Sequence, residues 1–160
     1  MSKDKNIKTN AIRIAEKNNI ETEVISYECD GFLDGVTIAE KLGQPAEQTF
    51  KTLVMQGKSR EFFVCVVPVA EEVDLKKAAK AFGEKSLEMI HVKDITRVTG
   101  YVRGGCSPIG MKKQFRTVIH QSAENFDKIM FSGGKLGLQI KMSPTDLAKL
   151  IDAQFADIIM

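Results

Sequence analysis

From Phe62 to Ala70 the chain runs through nine consecutive apolar residues. That is far short of the roughly 20 residues an α-helix needs to span a bilayer. Phe62 to Val67 also lacks the alternation of a strand with one wet face. Such a stretch fits a central strand buried on both sides. The residues before it supply a neighbour. Phe50 to Gln56 reads as a second strand, and the short loop holding Gly57 makes the two a hairpin.

Around this pair, helical and extended patterns alternate. Asn10 to Asn18 reads as a short helix, Glu23 to Glu28 as a strand, and Ile38 with Leu42 as a helix face stopped by Gly43. Pro45 opens a single turn. Asp74 caps the clearest helix, whose Leu75, Ala78, Ala79 and Phe82 follow the i, i+3, i+4, i+7 pattern up to Gly83. Strands follow at Phe115 to His120 and Lys128 to Ser132, the latter turning through Gly133-Gly134 into Leu136 to Met142. Ser143 then starts a helix with Pro144 and Asp146 in its first turn, and Phe155 to Met160 closes the sheet. Hairpins mixed with short helices argue for an α+β fold, a single domain around a strongly curved mixed β-sheet, rather than regular βαβ units.

Length agrees with one domain, 1–160, at roughly 150 residues per domain. A composition of 43% hydrophobic and 28% charged residues excludes a disordered or collagen-like chain. The net charge of +2 is too balanced for coating DNA or RNA through bulk charge, though a local basic face fits. Cys29, Cys65 and Cys106 are odd in number and lack any C-x-x-C, which argues against a disulfide framework and for a reduced cytoplasm. The polar start, Met1 to Asn6, has no signal-peptide core, so no membrane role is expected.

No standard catalytic motif stands up. Gly105 to Gly110 has the spacing of a phosphate loop, but Met111 sits where the lysine belongs. His91 and His120 lie 29 positions apart and the cysteines show no zinc spacing, so no metal or cofactor is expected. Cys106 reads as a small apolar residue ahead of a nucleophile.

Three features remain. Alternation puts Lys51 on the face of Leu53 and Met55. A lysine there must snorkel, pair with an acid, or point into a cleft, unless it protects a sheet edge. The loop Gly100 to Gly110 carries four glycines and Pro108 over eleven residues, a shaped backbone that suits either an oxyanion clamp or a tight crossover. Lys76, Lys77 and Lys80, with Lys112, Lys113 and Arg116, are candidates for a basic face, or for ordinary solvated surface.

Taken in order, Phe50-Lys-Thr-Leu-Val54, Leu75-Lys-Lys-Ala-Ala79, Gly100-Tyr-Val-Arg-Gly-Gly-Cys-Ser-Pro-Ile-Gly110 with Lys112-Lys113, Ser132-Gly-Gly-Lys135 and Gly137-Leu138 resemble the YbaK branch of the YbaK/EbsC family. These are relatives of the editing domain of bacterial prolyl-tRNA synthetases. The resemblance runs from Thr9 to Ile159. It implies a twisted mixed sheet closing towards a barrel and deacylation of mischarged Cys-tRNA(Pro), and of Cys-tRNA(Cys). Cysteine and proline are close in size, and a hydrophobic pocket separates such neighbours weakly.

The implied mechanism needs no protein nucleophile, because the substrate thiol attacks its own ester to give a cysteine thiolactone and free tRNA. By resemblance, Lys51 anchors the terminal adenosine and ester region, and the backbone of Gly104 and Gly105 lies against the aminoacyl group. Tyr27 and Phe32 shape the pocket, while Ser132 and Gly133 line it. Gln139 stands where some relatives carry an acid, and no catalytic role is assigned to it. The implied partner is aminoacyl-tRNA, with prolyl-tRNA synthetase as a possible second. Two other readings compete: a sibling hydrolase acting on Ala-tRNA(Pro) by water attack, and a non-catalytic module that binds aminoacyl-tRNA or a synthetase.

Overall fold

The computed structural model describes residues 8–160. In chain order these form α1 (Asn10–Lys17), β1 (Glu23–Ser26), α2 (Gly35–Leu42), β2 (Phe50–Gly57), β3 (Phe62–Pro68), α3 (Leu75–Phe82), β4 (Leu87–Met89), α4 (Ile95–Thr99), β5 (Arg116–His120), β6 (Ile129–Ser132), β7 (Leu138–Met142), α5 (Pro144–Ile151) and β8 (Gln154–Ala156). None of these helices is long and apolar enough to cross a membrane.

The unbroken apolar run becomes β3, at the centre of a five-stranded sheet ordered β4-β2-β3-β5-β8. It pairs antiparallel with β2, from Phe50 opposite Pro68 to Gln56 opposite Phe62, and parallel with β5. Its residues alternate between two cores. Val64 and Val66 join Phe131, Ile140 and Leu147 on one side, under a three-stranded sheet ordered β1-β7-β6. Phe63, Cys65 and Val67 join Ala78, Ala79 and Phe82 of α3 on the other, with the Phe63 and Phe82 rings 4.7 Å apart. That two-sided burial is why no position in the run is polar. A parallel bridge between Thr49 and Met130 links the two sheets, so the fold is a mixed α+β domain that curves towards a barrel without closing.

Helix ends follow side-chain chemistry. Asp74 accepts hydrogen bonds from the Lys76 and Lys77 amides at 2.9 and 3.0 Å, and Ser143 accepts one from Asp146 at 3.3 Å. Gly43 and Gly83 end their helices with φ of 67° and 76°.

Three boundaries differ from expectation. The turn after β6 is not a two-residue hairpin. Gly134 and Gly137 both take positive φ, so the loop runs from Gly133 to Gly137 and β7 starts at Leu138. β1 ends at Ser26, leaving Tyr27 just beyond it. The closing strand is β8, which ends at Ala156; beyond it the Ile158 amide donates to His120 Nδ1 and Ile159 bridges Val73. Two further elements, β4 and α4, fill the stretch between α3 and the glycine loop.

Candidate active site

A cavity of about 770 Å³ opens beside β2. One wall is the start of α2 with Phe32 to Ile38 before and within it. Thr49 to Val54 line it as well, and the rest of the lining combines Ile90, Val92 and Ile95 with Arg103, Gly104 and Cys106. Ser132 and Gln139 close one end.

Lys51 reaches this cavity from the sheet face it shares with Leu53 and Met55. Its cross-strand neighbour is the fully buried Val67. Among the described residues it makes no ion pair. Of the readings open to such a lysine, the one that fits is a cation directed into a cleft.

The glycine loop meets the cavity at Gly104, whose φ is +83°. A β-carbon there would sit 2.9 Å from the Phe32 ring and 2.8 Å from Leu136, so the ring packs directly against the bare backbone. Phe32 is 49% exposed, and the Arg103 guanidinium stacks 4.2 Å from its centroid. Gly105 lies behind this surface and does not line the cavity. Its amide donates to the Val102 carbonyl at 2.9 Å, and a β-carbon would meet the Lys135 backbone at 2.8 Å. The loop is held in shape by Tyr101, whose hydroxyl donates to the Ile109 carbonyl at 2.6 Å, and by Ser107, whose buried Oγ accepts from the Ile109 amide.

At the other end, Ser132 of β6 sits opposite Gln139 of β7. Ser132 lines the cavity and its Oγ accepts from the Gly134 amide at 3.2 Å. Gly133 turns away, with its amide bonded to the Leu138 carbonyl. Tyr27 lies beyond the cavity lining, anchored by its amide to the Gly137 carbonyl at 2.9 Å. Its hydroxyl is buried beside Gln139 without a well-formed hydrogen bond, and burial pushes its pKa up.

Gln139, which the sequence left without a role, lines the cavity and is only 4% exposed; Thr52, not singled out from sequence, lines it with its hydroxyl buried and without a partner. Thr52 stands within the Phe50-to-Val54 block, which was its only signal.

The chemistry on offer is limited. Burial pushes the Cys106 thiol up to about 11, so it stays protonated at neutral pH. Neither histidine lines the cavity. Asp34, one of two lining acids, is engaged as the α2 cap; the hydrogen bond from the Thr37 amide holds its carboxyl below the usual range.

The sequence profile of the aminoacyl-tRNA editing domain matches residues 35–150. EbsC of Enterococcus faecalis, named as a candidate Cys-tRNA(Pro)/Cys-tRNA(Cys) deacylase, is 43% identical over 152 residues, covering 94% of this chain and 93% of its own. The chain belongs to the aminoacyl-tRNA editing family. A proline–tRNA ligase of Trichlorobacter lovleyi is 25% identical across 72% of this chain but only 22% of the ligase. Among solved structures, a candidate trans-editing enzyme for prolyl-tRNA synthetase has a TM-score of 0.81 at 20% identity, with 96% of this chain and 99% of that one covered. That likeness establishes an editing-domain fold, and the matched profile, which begins at residue 35, spans α2, Lys51, the glycine loop and Ser132 of the cavity.

Proposed function

We propose that this protein is a trans-editing deacylase that removes cysteine from mischarged Cys-tRNA(Pro), and from Cys-tRNA(Cys), by substrate-assisted cyclisation. The observation that carries the reading is a cavity where Lys51 and Gly104 face the same space while the only lining thiol, Cys106, is held protonated by burial. The 43% identity to a named Cys-tRNA deacylase supports the substrate class.

In this mechanism the cysteinyl thiol attacks the ester carbonyl. A sulfur–carbon bond forms, the bond to the ribose oxygen breaks, and the thiol proton ends on that oxygen. The products are the four-membered thiolactone and free tRNA. Holding the reacting atoms together is worth up to about 7–11 kcal/mol, less the strain of the small ring. The Lys51 ammonium and the Gly104 amide would stabilise the developing oxyanion. Phe32 and Ser132 would orient the aminoacyl group between them, with Tyr27, Gly105 and Gly133 supporting the walls from behind. Prolyl-tRNA synthetase would be the partner that presents the mischarged tRNA.

Matched time courses on Cys-tRNA(Pro) and Ala-tRNA(Pro) test the substrate assignment. Faster loss of cysteine is expected. Faster loss of alanine would assign the protein to water-driven alanine hydrolysis, and binding without loss of either would make it a tRNA- or synthetase-binding module.

A further inference from the structure

We infer that the exposed cations Lys93, Arg97, Lys112 and Lys113 form the surface on which the phosphates of a tRNA acceptor stem dock, an inference that rests on the aminoacyl-tRNA reading of the neighbouring cavity. Two segments of opposite charge contribute to the cavity. Residues 93–116 carry six cationic side chains and one acid, whereas residues 28–47 carry five acids and one cation. Both segments contribute to the lining, Ile95 and Arg103 from the first and Phe32 and Asp34 from the second, and they meet where Arg103 stacks on Phe32. A polyanion whose end enters this cavity is drawn to the first segment and repelled by the second.

Two cations of the basic segment, Arg97 and Lys112, are tied to one another. The Lys112 amide donates to the Thr99 carbonyl at 2.9 Å and its Nζ to the Arg97 carbonyl at 3.3 Å, which fixes the lysine against the end of α4. Its aliphatic stem lies 3.0 Å from where a β-carbon on Gly100 would sit, so that glycine makes the close approach possible. Asp94, the one acid, pairs with Arg97 at 3.4 Å; the guanidinium is exposed, and such a pair is easily exchanged for phosphate.

The structure also divides the basic face anticipated from sequence. Lys77 is committed to Asp157 and to the Ile159 carbonyl, at 2.9 and 2.8 Å. Arg116 is turned back onto the Phe82 carbonyl at 2.9 Å and lies over the Phe63 and Phe82 rings. Both are engaged more fully than Lys93 and Lys113, for which no such contact is found among the described residues, or than Lys112 with its single longer bond, which favours the strip beside the cavity.

The test is the salt dependence of binding to an uncharged RNA microhelix ending in 3′-CCA, followed by fluorescence anisotropy. The variant Lys93→Gln/Arg97→Gln/Lys112→Gln/Lys113→Gln is compared with Lys17→Gln/Lys76→Gln/Lys80→Gln/Lys149→Gln, which makes the same change in net charge elsewhere. Each lost phosphate contact lowers the slope of log K against log salt by about 0.9. The strip variant is expected to flatten the slope by about 3.6 and to bind at least about tenfold more weakly, while the control keeps wild-type behaviour. A double variant, Lys93→Gln/Lys113→Gln, removes two exposed side chains without touching the Lys112 contacts, and should flatten the slope by about two. Equal behaviour of strip and control variants overturns the proposal and leaves the strip to an acidic protein surface. Because the RNA is uncharged, a wild-type protein that binds it through the strip yet deacylates nothing would sink the deacylase reading alone.

Discussion

A lysine on a sheet face next to fully buried valine costs solvation unless the cleft it enters is polar or receives a compensating anion. Lys51 is in that position, with no carboxylate paired to it among the described residues. Lys51→Ala should therefore lower kcat/KM for Cys-tRNA(Pro) deacylation by about 10²-fold or more, with Tm unchanged or slightly raised. Gly104→Ala should cost about 1 kcal/mol for the left-handed backbone and displace Phe32, raising KM along with lowering Tm by a few degrees. Lys51 was legible in the sequence because strand alternation assigns a face to each residue. The places of Thr52 and Gln139 in the cavity were not, since alternation says which face a residue takes but not what covers that face. The family motif likewise marks Gly104 and Gly105 as a block. Only the folded loop separates them, one against the cavity and the other with its amide already committed to Val102.

Elements of eight residues with caps and a clean apolar stripe could be read directly. Asp74→Ala removes the acceptor for two amides at the start of α3 and should destabilise the fold by about 1 kcal/mol, measured by urea denaturation. β4 and α4, of three and five residues, are too short to show a period, and nothing in the sequence marked them. The C-terminal strand is secured by a different device. His120 is buried and its Nδ1 accepts the Ile158 amide at 3.3 Å, which requires the neutral ring and leaves that nitrogen no proton for Asp157. Burial holds its pKa below the usual value near 6.5, with Lys77 acting in the same direction and Asp157 and Glu71 against. The unfolded chain takes up a proton first, so this contribution is complete above about pH 6.5 and is lost as pH falls towards the folded value. Tm should thus decline between about pH 7 and 5, and His120→Asn, which keeps an acceptor without the titration, should flatten that decline.

At the scale of the molecule, one apolar run decided most of the architecture. A strand with no wet face demands a layer on each side, and the two cores on either side of β3 are those layers. The sequence was silent on how the second sheet attaches, because a single parallel bridge between Thr49 and Met130 leaves no periodic trace. That junction places β6 beside β2, and so brings Ser132 and Gln139 to the cavity that holds Lys51. In the proposed mechanism this cavity holds an ester while the substrate supplies the attacking thiol. Deacylation of Cys-tRNA(Pro) against Ser-tRNA(Pro), nearly isosteric but without a thiol, tests it most directly. Rapid release of cysteine, trapped as the thiolactone, with serine released no faster than in buffer, is the predicted result; equal release of both would contradict it.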